Sequence, residues 1–304
     1  MTSRYASQSD IEQCRKIHKR FGTTYYYSTL RFPKQIQWRV HAIYAFVRVP
    51  DEWVDNPEHL NINERVGLLQ DWRKQLARGL GGKRPEHFAM RAFCDAVIEC
   101  GIPVEEATLF LDAMEMDLTK TRSETYEDLR NYMRGSASAI GVMMCYAMNA
   151  KTDYDTIARA KALGEAMQLT NFLRDINEDM ERGRIYLPLE DMRRFGVSEA
   201  DLRANNVTEP FREMIRFEIA RARELYLLSD LGISKLPPKM RKAVLLSRLL
   251  YSQILSRIEA QEYDVFRRRA RTNSLHKLGC AVRVLVSDKK ILSKLMASSG
   301  VPTS

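Results

Sequence analysis

Residues 164–188, GEAMQLTNFLRDINEDMERGRIYLP, constrain the fold of this chain more than any other stretch. Gln168, Asn171, Asp175 and Asp179 are spaced i, i+3, i+7 and i+11, which places two amides and two carboxylates on one face of a helix. The same segment supplies Met167, Leu169, Phe172 and Leu173 for packing, so the polar stripe lies on a helix with apolar flanks. Two aspartates one turn apart repel each other unless a divalent cation lies between them. Taken alone, the pattern also fits a solvated acidic face.

Residues 44–55, YAFVRVPDEWVD, carry a second copy of the acidic pattern. By the same period, Tyr44, Arg48, Asp51 and Asp55 share one helix face. Pro50 lies inside this segment, and we expect it to kink the helix or to remove a hydrogen bond just before Asp51. Two helices of the chain therefore carry Asp-x-x-x-Asp.

The two acidic pairs predict a site for metal ions and phosphate. Facing pairs inside a helical bundle would hold several Mg²⁺ ions, with Mn²⁺ as a substitute, and such ions neutralise a departing diphosphate. Each pair has a neighbouring arginine, Arg48 or Arg174, which suits bidentate contacts to phosphate oxygens.

Composition supports a soluble, basic protein that meets an anionic partner. The chain has 304 residues, 45% of them hydrophobic and 29% charged, with a net charge of +9. A phosphate-bearing substrate or a lipid surface fits this charge, whereas a nucleic-acid role lacks any recognised motif. Five scattered cysteines read as reduced thiols. The polar N-terminus and the absence of a long apolar run predict a cytoplasmic protein that meets a membrane only peripherally.

Helical periodicity runs through the whole chain, and no strand alternation is evident. We predict a first helix capped at Ser9 and Asp10. Further helical segments are predicted over residues 34–55, 61–80, 88–100, 103–120, 125–148, 153–181, 210–228 and 237–271, with a short one from Ser198. One all-α domain over residues 1–304 is the economical interpretation. Its basic tail, residues 272–304, is either a terminal helix or partly disordered. Apolar side chains among the basic residues of this tail suit an anionic membrane surface. They are Val282, Val284, Leu285, Ile291 and Leu295.

The chain resembles the squalene/phytoene synthase family of head-to-head prenyl transferases. Residues 44–55 resemble the first aspartate motif of that family, and residues 168–188 are very close to the second. Further matching blocks are FLDAMEMDLTKTRSETYEDLRNYMRGSASAIG, STLRFPKQIQWRVHAIYAFVR and YSQILSRIEAQEYDVFRRRA. The resemblance covers roughly residues 18–272. It implies an all-α bundle of the isoprenoid-synthase type with a central cavity.

The resemblance also implies roles for individual residues. Asp51, Asp55, Asp175 and Asp179 would bind the Mg²⁺ ions and act in catalysis. The diphosphates would contact Arg48, Arg174, Tyr251 and Arg268, and Gln168 and Asn171 would line the polar mouth. The prenyl chains would lie against Tyr132, Ser136, Ala137, Ile140, Gly141, Met144, Gly164 and Met167. Without the family, the small residues of GSASAIG would indicate close helix packing instead.

The implied reaction is a Mg²⁺-dependent condensation of two geranylgeranyl diphosphates to phytoene through a cyclopropylcarbinyl diphosphate. Several blocks resemble bacterial phytoene synthases more than squalene synthases. The alternative within this class is squalene or dehydrosqualene formation from farnesyl diphosphate. An alternative from another class is a helical assembly factor without catalytic activity.

The sequence departs from the family pattern at two places, and its histidines have no predicted role. Glu52 follows Asp51 where a second aspartate is usual, and the longer carboxylate should preserve metal binding. Phe21 and Gly22 stand where many members carry a phosphate-binding His and Ser, which leaves Thr23, Thr24 and Tyr25 as substitutes. The five histidines are interpreted as isolated surface or core residues. They are His18, His41, His59, His87 and His276.

Overall fold

A computed structural model describes residues 4–55, 60–270 and 274–297, with side chains from residue 277 in the last range. The helices are α1 (Gln8–Phe21), α2 (Thr23–Thr29), α3 (Lys34–Asp55), α4 (Ile62–Leu80), α5 (Phe88–Cys100), α6 (Val104–Met116), α7 (Tyr126–Met133), α8 (Ala139–Ala147), α9 (Tyr154–Arg174), α10 (Ile176–Glu181), α11 (Leu189–Phe195), α12 (Glu199–Arg203), α13 (Glu209–Lys235), α14 (Pro238–Ala260) and α15 (Ser274–Ala297). A π-helical turn, Arg134–Ser138, joins α7 to α8. In these ranges the only β-pairing is one isolated bridge, between Arg122 and Ile185.

Local capping chemistry explains where most helices begin. The side chains of Asn61 and Thr125 each accept a hydrogen bond from the backbone N–H three residues later. The acidic side chain of that later residue accepts a hydrogen bond from the backbone N–H of the cap residue. The predicted cap of α1 is wrong by two residues. Ser7, rather than Ser9, caps the helix, because its hydroxyl and the Asp10 carboxylate form a reciprocal capping box. Gly101 ends α5 in the left-handed conformation, φ 65°.

Three predicted helices are longer than the observed ones. The helix predicted over residues 103–120 ends at Met116. The helix predicted over residues 153–181 is interrupted at Asp175, whose φ of −108° and ψ of 16° are not helical. Likewise α14 ends at Ala260, where Glu262 and Tyr263 adopt positive φ and turn the chain. Hydrophobic periodicity continues through both breaks, so the sequence pattern did not reveal them.

The helices enclose a cavity, whose wall includes residues of α2, α3, α9 and α14. α9 packs along α13 and also contacts α8, the π-helical turn and α14. Pro50 lies inside α3, which nevertheless continues to Asp55. Pro50 has no N–H for a bond to the Phe46 carbonyl, as expected.

The C-terminal segment forms helix α15, with a non-helical Ser287 (φ −138°, ψ 32°) inside it. Of the predicted tail, residues 272, 273 and 298–304 lie outside the described residues, as do Pro57 and His59. Within the described ranges, no helix combines the length and apolar character required to cross a bilayer.

Candidate active site

A cavity of about 810 Å³ runs through the bundle. Drug-sized ligand sites span about 300–1,000 Å³, so this cavity is large. One end of the cavity is lined mainly by apolar side chains, and the other end is crowded with charged groups. The interior includes Phe32, Val40, Ile43, Met144 and Met148, and the charged end includes Arg48, Asp51, Asp55, Arg174, Asp175, Asp179, Arg182, Arg184 and Arg269.

The first aspartate motif lies on the last two turns of α3. Asp51 and Asp55 both line the cavity, and Arg48 forms ion pairs with Asp51 and with Glu52. Arg48 also lies 4.5 Å above the ring of Phe21. Phe21 therefore supports an arginine of the site through an aromatic contact.

The second motif lies across the junction of α9 and α10. Because the helix breaks at Asp175, this carboxylate is the C-cap of α9 and binds two arginines. Arg174 donates to it at 2.7 and 2.5 Å, and Arg269 donates at 2.8 and 2.9 Å. The amide of Asp179 still donates to the carbonyl of Asp175 at 2.9 Å, so the two side chains remain one turn apart.

Two arginines between α10 and α11 show that the motifs face each other. Arg182 Nη1 lies 3.9 Å from Asp55 and 3.8 Å from Asp179. Arg184, which is buried, pairs with Asp55 and donates to the carbonyl of Asp117 at 3.2 Å. The turn at Gly183, φ 76°, directs the chain back toward α3.

Crowding of carboxylates raises their proton affinity. Burial and the charge of Asp55 raise the pKa of Asp51 to about 7. Burial, together with Asp175 and Asp55, raises the pKa of Asp179 to about 8. Burial acts in the same direction on Asp175, but Arg174 and Arg269 outweigh it and lower its pKa. At Asp51 and Asp179, therefore, the neighbouring arginines do not offset burial and the repulsion from other carboxylates.

This donor set fits a hard divalent cation. Carboxylate oxygens are the ligands that Mg²⁺ prefers, and a cation would relieve the repulsion seen in the pKa values of Asp51 and Asp179. Among the described residues, no three acidic, His or Cys side chains converge into a ready-made metal cage. A few carboxylates plus substrate phosphates is the usual way in which proteins hold Mg²⁺.

Asp117 lies in the cavity wall and holds two tyrosines there. Its carboxylate accepts hydrogen bonds from the hydroxyls of Tyr132 at 2.7 Å and Tyr186 at 3.2 Å. Burial raises the pKa of Asp117 to about 6, against the opposing effect of Arg184. Tyr186 stacks on Phe172 with ring centroids 4.2 Å apart. Asp117 therefore fixes two phenol rings in the cavity wall.

Small residues bring helices together along the cavity. A Cβ on Gly164 would lie 2.5 Å from the carbonyl oxygen of Ala137, and one on Gly141 would lie 2.4 Å from that of Ala160. Both glycines also line the cavity. The small residues of GSASAIG therefore allow close helix packing and also line the cavity, so the two interpretations are compatible. The sequence did not predict the π-helical turn that begins at Arg134, although such turns are frequent at functional sites.

The packing of Gly164 leads to a stability prediction. Gly164→Ala should lower the free energy of unfolding by roughly 1–3 kcal/mol, because the methyl group meets a backbone carbonyl that cannot rotate away. Gly67→Ala is the matched control, since nothing lies within 4 Å of a Cβ there. It should stabilise α4 by about 0.5–1 kcal/mol. Urea denaturation of both variants measures the difference, and equal stabilities would contradict the packing described for Gly164.

The structure places almost every residue selected from the sequence in the cavity wall. Besides the aspartates, these are Arg48, Arg174, Tyr251, Gln168, Asn171, Tyr132, Ser136, Ala137, Ile140, Gly141, Met144, Gly164 and Met167, together with Thr23, Thr24 and Tyr25. Arg268 is the exception. Arg268 is exposed and does not line the cavity, whereas the next residue, Arg269, lines the cavity and binds Asp175. The chain leaves its helix at residue 260, so helical spacing does not identify the inward-facing arginine.

Five residues of the cavity wall were not predicted from the sequence: Asp117, Arg182, Arg184, Tyr186 and Arg269. All five lie within the blocks that resemble the family, as polar residues to which no role was given. Only the turn after α10 brings Arg182 and Arg184 to Asp55.

The interpretation of the histidines as isolated is wrong for two of them. His18 and His41 are buried, and their Nδ1 atoms lie 2.9 Å apart. Burial is the main cause that lowers the pKa of both rings, that of His41 to about 4. The charge of His41 adds to the effect on His18, and the charge of Arg15 adds to the effect on His41. His18 stacks on Tyr44, centroids 4.1 Å apart, and Tyr44 fills the space beside Gly22. The pair thus supports the wall of the cavity near Gly22.

Known proteins share this architecture. A family model described as squalene/phytoene synthase matches residues 18–276. The chain is 36% identical to the phytoene synthase of Arthrospira platensis over 90% of this chain and 92% of that protein. It is 34% identical to the 15-cis-phytoene synthase of Synechococcus elongatus over 92% of this chain and 94% of that protein. A crystal structure of a dehydrosqualene synthase in complex with ligand has a TM-score of 0.85 and 28% identity, covering 93% of this chain and 98% of that one. The squalene synthase HpnC from Alicyclobacillus acidocaldarius has a TM-score of 0.76 and 29% identity, with 84% and 95% coverage.

The helical bundle and its acid-ended apolar cavity define an isoprenoid-synthase-type fold, and the class of enzyme is a prenyl transferase. The chain belongs to the squalene/phytoene synthase family. The predicted fold class, family and enzyme class are therefore confirmed.

Proposed function

We propose that this protein condenses two molecules of geranylgeranyl diphosphate head to head, through a cyclopropylcarbinyl diphosphate, to phytoene and diphosphate. The observation that carries the proposal is the similarity, over about nine-tenths of the chain, to proteins named phytoene synthase. A long apolar cavity with an acidic and basic end suits a substrate that has a long hydrocarbon tail and a diphosphate head.

The charged end would bind the diphosphates. Asp51, Asp55, Asp175 and Asp179 would hold Mg²⁺, or Mn²⁺ in its place, which when bound neutralises the charge that develops on the leaving diphosphate. Arg48, Arg174 and Arg269 present guanidinium groups for bidentate contacts with phosphate oxygens. In the structure the same arginines pair with Asp51 and Asp175, so binding of a diphosphate would exchange one set of ion pairs for another. We assign to Arg269 the phosphate contact expected of Arg268.

The apolar wall would protect the carbocations. Allylic cations react with water, and aliphatic, aromatic and thioether side chains such as Val40, Phe32 and Met144 cover much of the cavity interior and would limit its access. The departing diphosphate and Tyr132 are the two candidate acceptors for the proton that is lost in the second step. Tyr132 would accept it while passing its own hydroxyl proton to the Asp117 carboxylate, to which that hydroxyl donates.

Product analysis tests the substrate. The purified protein with Mg²⁺ is incubated with geranylgeranyl or farnesyl diphosphate, each with and without NADPH, and the hydrocarbons are identified by mass spectrometry. We expect phytoene from geranylgeranyl diphosphate without NADPH. Exclusive use of farnesyl diphosphate would overturn the proposal. It would favour dehydrosqualene or squalene formation, which the 0.85 TM-score to a dehydrosqualene synthase supports as the second candidate. No turnover with any prenyl diphosphate would favour a helical assembly factor.

The raised carboxyl pKa values predict a pH-dependent affinity for Mg²⁺. Metal ligands must be deprotonated, and the pKa values of Asp51 and Asp179 are raised to about 7 and about 8. Mg²⁺ should therefore bind more tightly as the pH rises from about 6 to about 9. Protons should be released on binding at the lower end of this range. Calorimetry in two buffers of different ionisation enthalpy measures both effects, and an affinity that does not change with pH would contradict this view of the site.

A further inference from the structure

The cavity follows helix α9 along its whole length. Side chains of α9 that line the cavity recur every three or four residues from Thr156, through Leu163 and Met167, to Asp175. At a rise of 1.5 Å per residue, Thr156 and Asp175 lie roughly 28 Å apart along the helix axis. Because the aspartates are at one end of this length, the tail of a diphosphate bound there would extend toward the N-terminal end of α9.

The π-helical turn and α8 run antiparallel to α9 and line the same cavity. The carbonyl of Ala137 contacts Gly164. Four residues later, Gly141 contacts the carbonyl of Ala160, so residue numbers rise along α8 as they fall along α9. Met148, at the end of α8, therefore lies near the first turns of α9 and belongs to the apolar end of the cavity.

Arg159 lies in the wall of this apolar end. Its side chain lines the cavity, and a Cβ on Gly232 of α13 would lie 2.5 Å from the Arg159 Cβ and 3.0 Å from its Cγ. The aliphatic stem of Arg159 therefore packs directly against the backbone of α13. Ile233 and Leu236, which follow Gly232 in α13, are buried and also line the cavity. The stem is thus held among apolar groups.

The guanidinium of Arg159 is anchored on the solvent side of its stem. Its Nε donates to the Asp155 carboxylate at 3.1 Å, and Nη1 donates to the Leu228 carbonyl at 3.5 Å. Asp155 also accepts from Lys235 of α13 at 2.8 Å. The Arg159 side chain is 26% exposed, so its charged end reaches water while its stem covers the cavity. Arg159 therefore separates the cavity from solvent at this end.

Arg159 is too far from the aspartates to contact a diphosphate bound there. It lies roughly 22 Å along α9 from Arg174, and Arg174 pairs with Asp175. An ion pair as exposed as that between Arg159 and Asp155 contributes only about 0–1 kcal/mol to stability. What distinguishes Arg159 is therefore the position of its stem in the cavity wall.

We propose that the stem of Arg159 is the end wall of the cavity and sets the longest prenyl tail that this protein accepts. With the stem in place, a geranylgeranyl tail is accommodated and the longer geranylfarnesyl tail is not. Removal of the stem would lengthen the cavity between α9 and α13. The geranylgeranyl limit rests on the proposed function, whereas the direction of the change does not.

Binding of unreactive substrate analogues tests the end wall without turnover. The probes are farnesyl, geranylgeranyl and geranylfarnesyl thiolodiphosphate, in which sulfur replaces the bridging oxygen, and calorimetry with Mg²⁺ measures their affinities. Arg159→Ala should raise the affinity for the geranylfarnesyl analogue, relative to the geranylgeranyl analogue, by about ten-fold or more, the scale of a misfitted methylene in an apolar pocket. An unchanged ratio would overturn the proposal.

Arg159→Met is the matched variant at the same position. Methionine keeps an unbranched stem but has no charge, so the ratio of affinities should stay close to that of the unmodified protein. If Arg159→Met changed the ratio as much as Arg159→Ala, the charge rather than the stem would be responsible, and the end wall would be rejected. Arg78→Ala removes an arginine from an exposed pair with Glu86 and should leave the ratio unchanged. A change there equal to that in Arg159→Ala would also reject the end wall.

A longer side chain beside Arg159 tests the wall in the opposite direction. Ala160 lines the cavity at the same level of α9. Ala160→Met should lower the affinity for the geranylgeranyl analogue, relative to the farnesyl analogue, by about ten-fold. Circular dichroism checks that the variant keeps its helices. An unchanged ratio in a folded Ala160→Met protein would mean that the tail does not reach this end, and it would overturn the proposal.

Turnover separates the end wall from the proposed function. The unmodified protein could make phytoene while Arg159→Ala neither binds the geranylfarnesyl analogue more tightly nor condenses geranylfarnesyl diphosphate. That result would reject the end wall and leave the proposed function intact. If the unmodified protein instead used only farnesyl diphosphate, and Arg159→Ala shifted affinity toward the longer analogues, phytoene formation would be rejected and the end wall would stand.

Discussion

Asp179→Asn is expected to lower kcat by about 10²–10³-fold while making the metal-free protein more stable. Asparagine keeps the shape of the side chain but removes a negative charge that Asp175 and Asp55 repel. The nearest cationic atom, in Arg182, lies 3.8 Å from Asp179, so no short ion pair is lost. A rise in stability together with a loss of turnover is the signature of a charge retained for function.

Turnover of geranylgeranyl diphosphate with Mg²⁺ and thermal unfolding in metal-free buffer at about pH 8 measure the two effects of Asp179→Asn. Between the ordinary carboxyl pKa of about 4 and the raised pKa of about 8, the unfolded chain has lost this proton while the folded protein keeps it, so the gain in stability should grow over that range and level off above about pH 8. Asp71→Asn, at an exposed aspartate on α4 that accepts a hydrogen bond from Gln75, is the control and should change neither. Turnover of Asp179→Asn within about three-fold of the unmodified protein would be incompatible with a metal-binding role, given the cost of removing one charge-stabilising group.

Arg248→Met is expected to lower the free energy of unfolding by about 3–5 kcal/mol, the largest effect on stability that we predict. Asp230 is completely buried, and Arg248 holds both of its carboxylate oxygens, at 2.8 and 2.7 Å. Methionine replaces the stem of the arginine but leaves a carboxyl group inside the bundle without its cation. Burial already raises the pKa of Asp230 against the effect of Arg248, and loss of the cation raises it further. The cost should therefore grow with pH over the range in which the unfolded chain has lost this proton and the folded variant keeps it.

A double variant separates the ion pair from simple loss of packing. Arg248→Met/Asp230→Asn removes both charges and should recover a large part of the lost stability, which urea denaturation of the single and double variants will show. Arg130→Met breaks an exposed pair with Glu127 and should change stability by less than about 1 kcal/mol. If the double variant were as unstable as Arg248→Met, the loss would come from packing, and the interpretation of Arg248 as a charge partner would be wrong.

The sequence predicted the helices well where a local signal marks both ends. The boundaries predicted for α3 and α5 agree with the structure, because a proline turn, a histidine cap and Gly101 act over a few residues. It predicted poorly where tertiary contacts end a helix whose periodicity continues. The break at Asp175 is the important case, since two arginines bind that carboxylate where a regular helix would have continued.

Among the site residues, those in regular helices could be predicted and those in turns could not. Asp51, Asp55, Gln168 and Asn171 follow the helical period, so their common face could be read from their numbers. Arg184 and Arg269 belong to segments without a period, and their positions depend on the turn at Gly183 and on the chain reversal after α14. The same reasoning applies to α15, in which composition shows basic and apolar residues but packing decides that Val284 is buried and Val286 exposed.

The helical class, the two aspartate motifs and the family could be predicted because each is encoded in the local spacing of residue types. Three features depend on helix packing instead: Asp55 and Asp179 face each other through Arg182, Asp117 holds Tyr132 and Tyr186, and Arg269 rather than Arg268 lines the cavity. These contacts join residues far apart in the chain, and the free energy of such contacts depends on burial and on neighbouring charges. Neither quantity exists until the helices have packed.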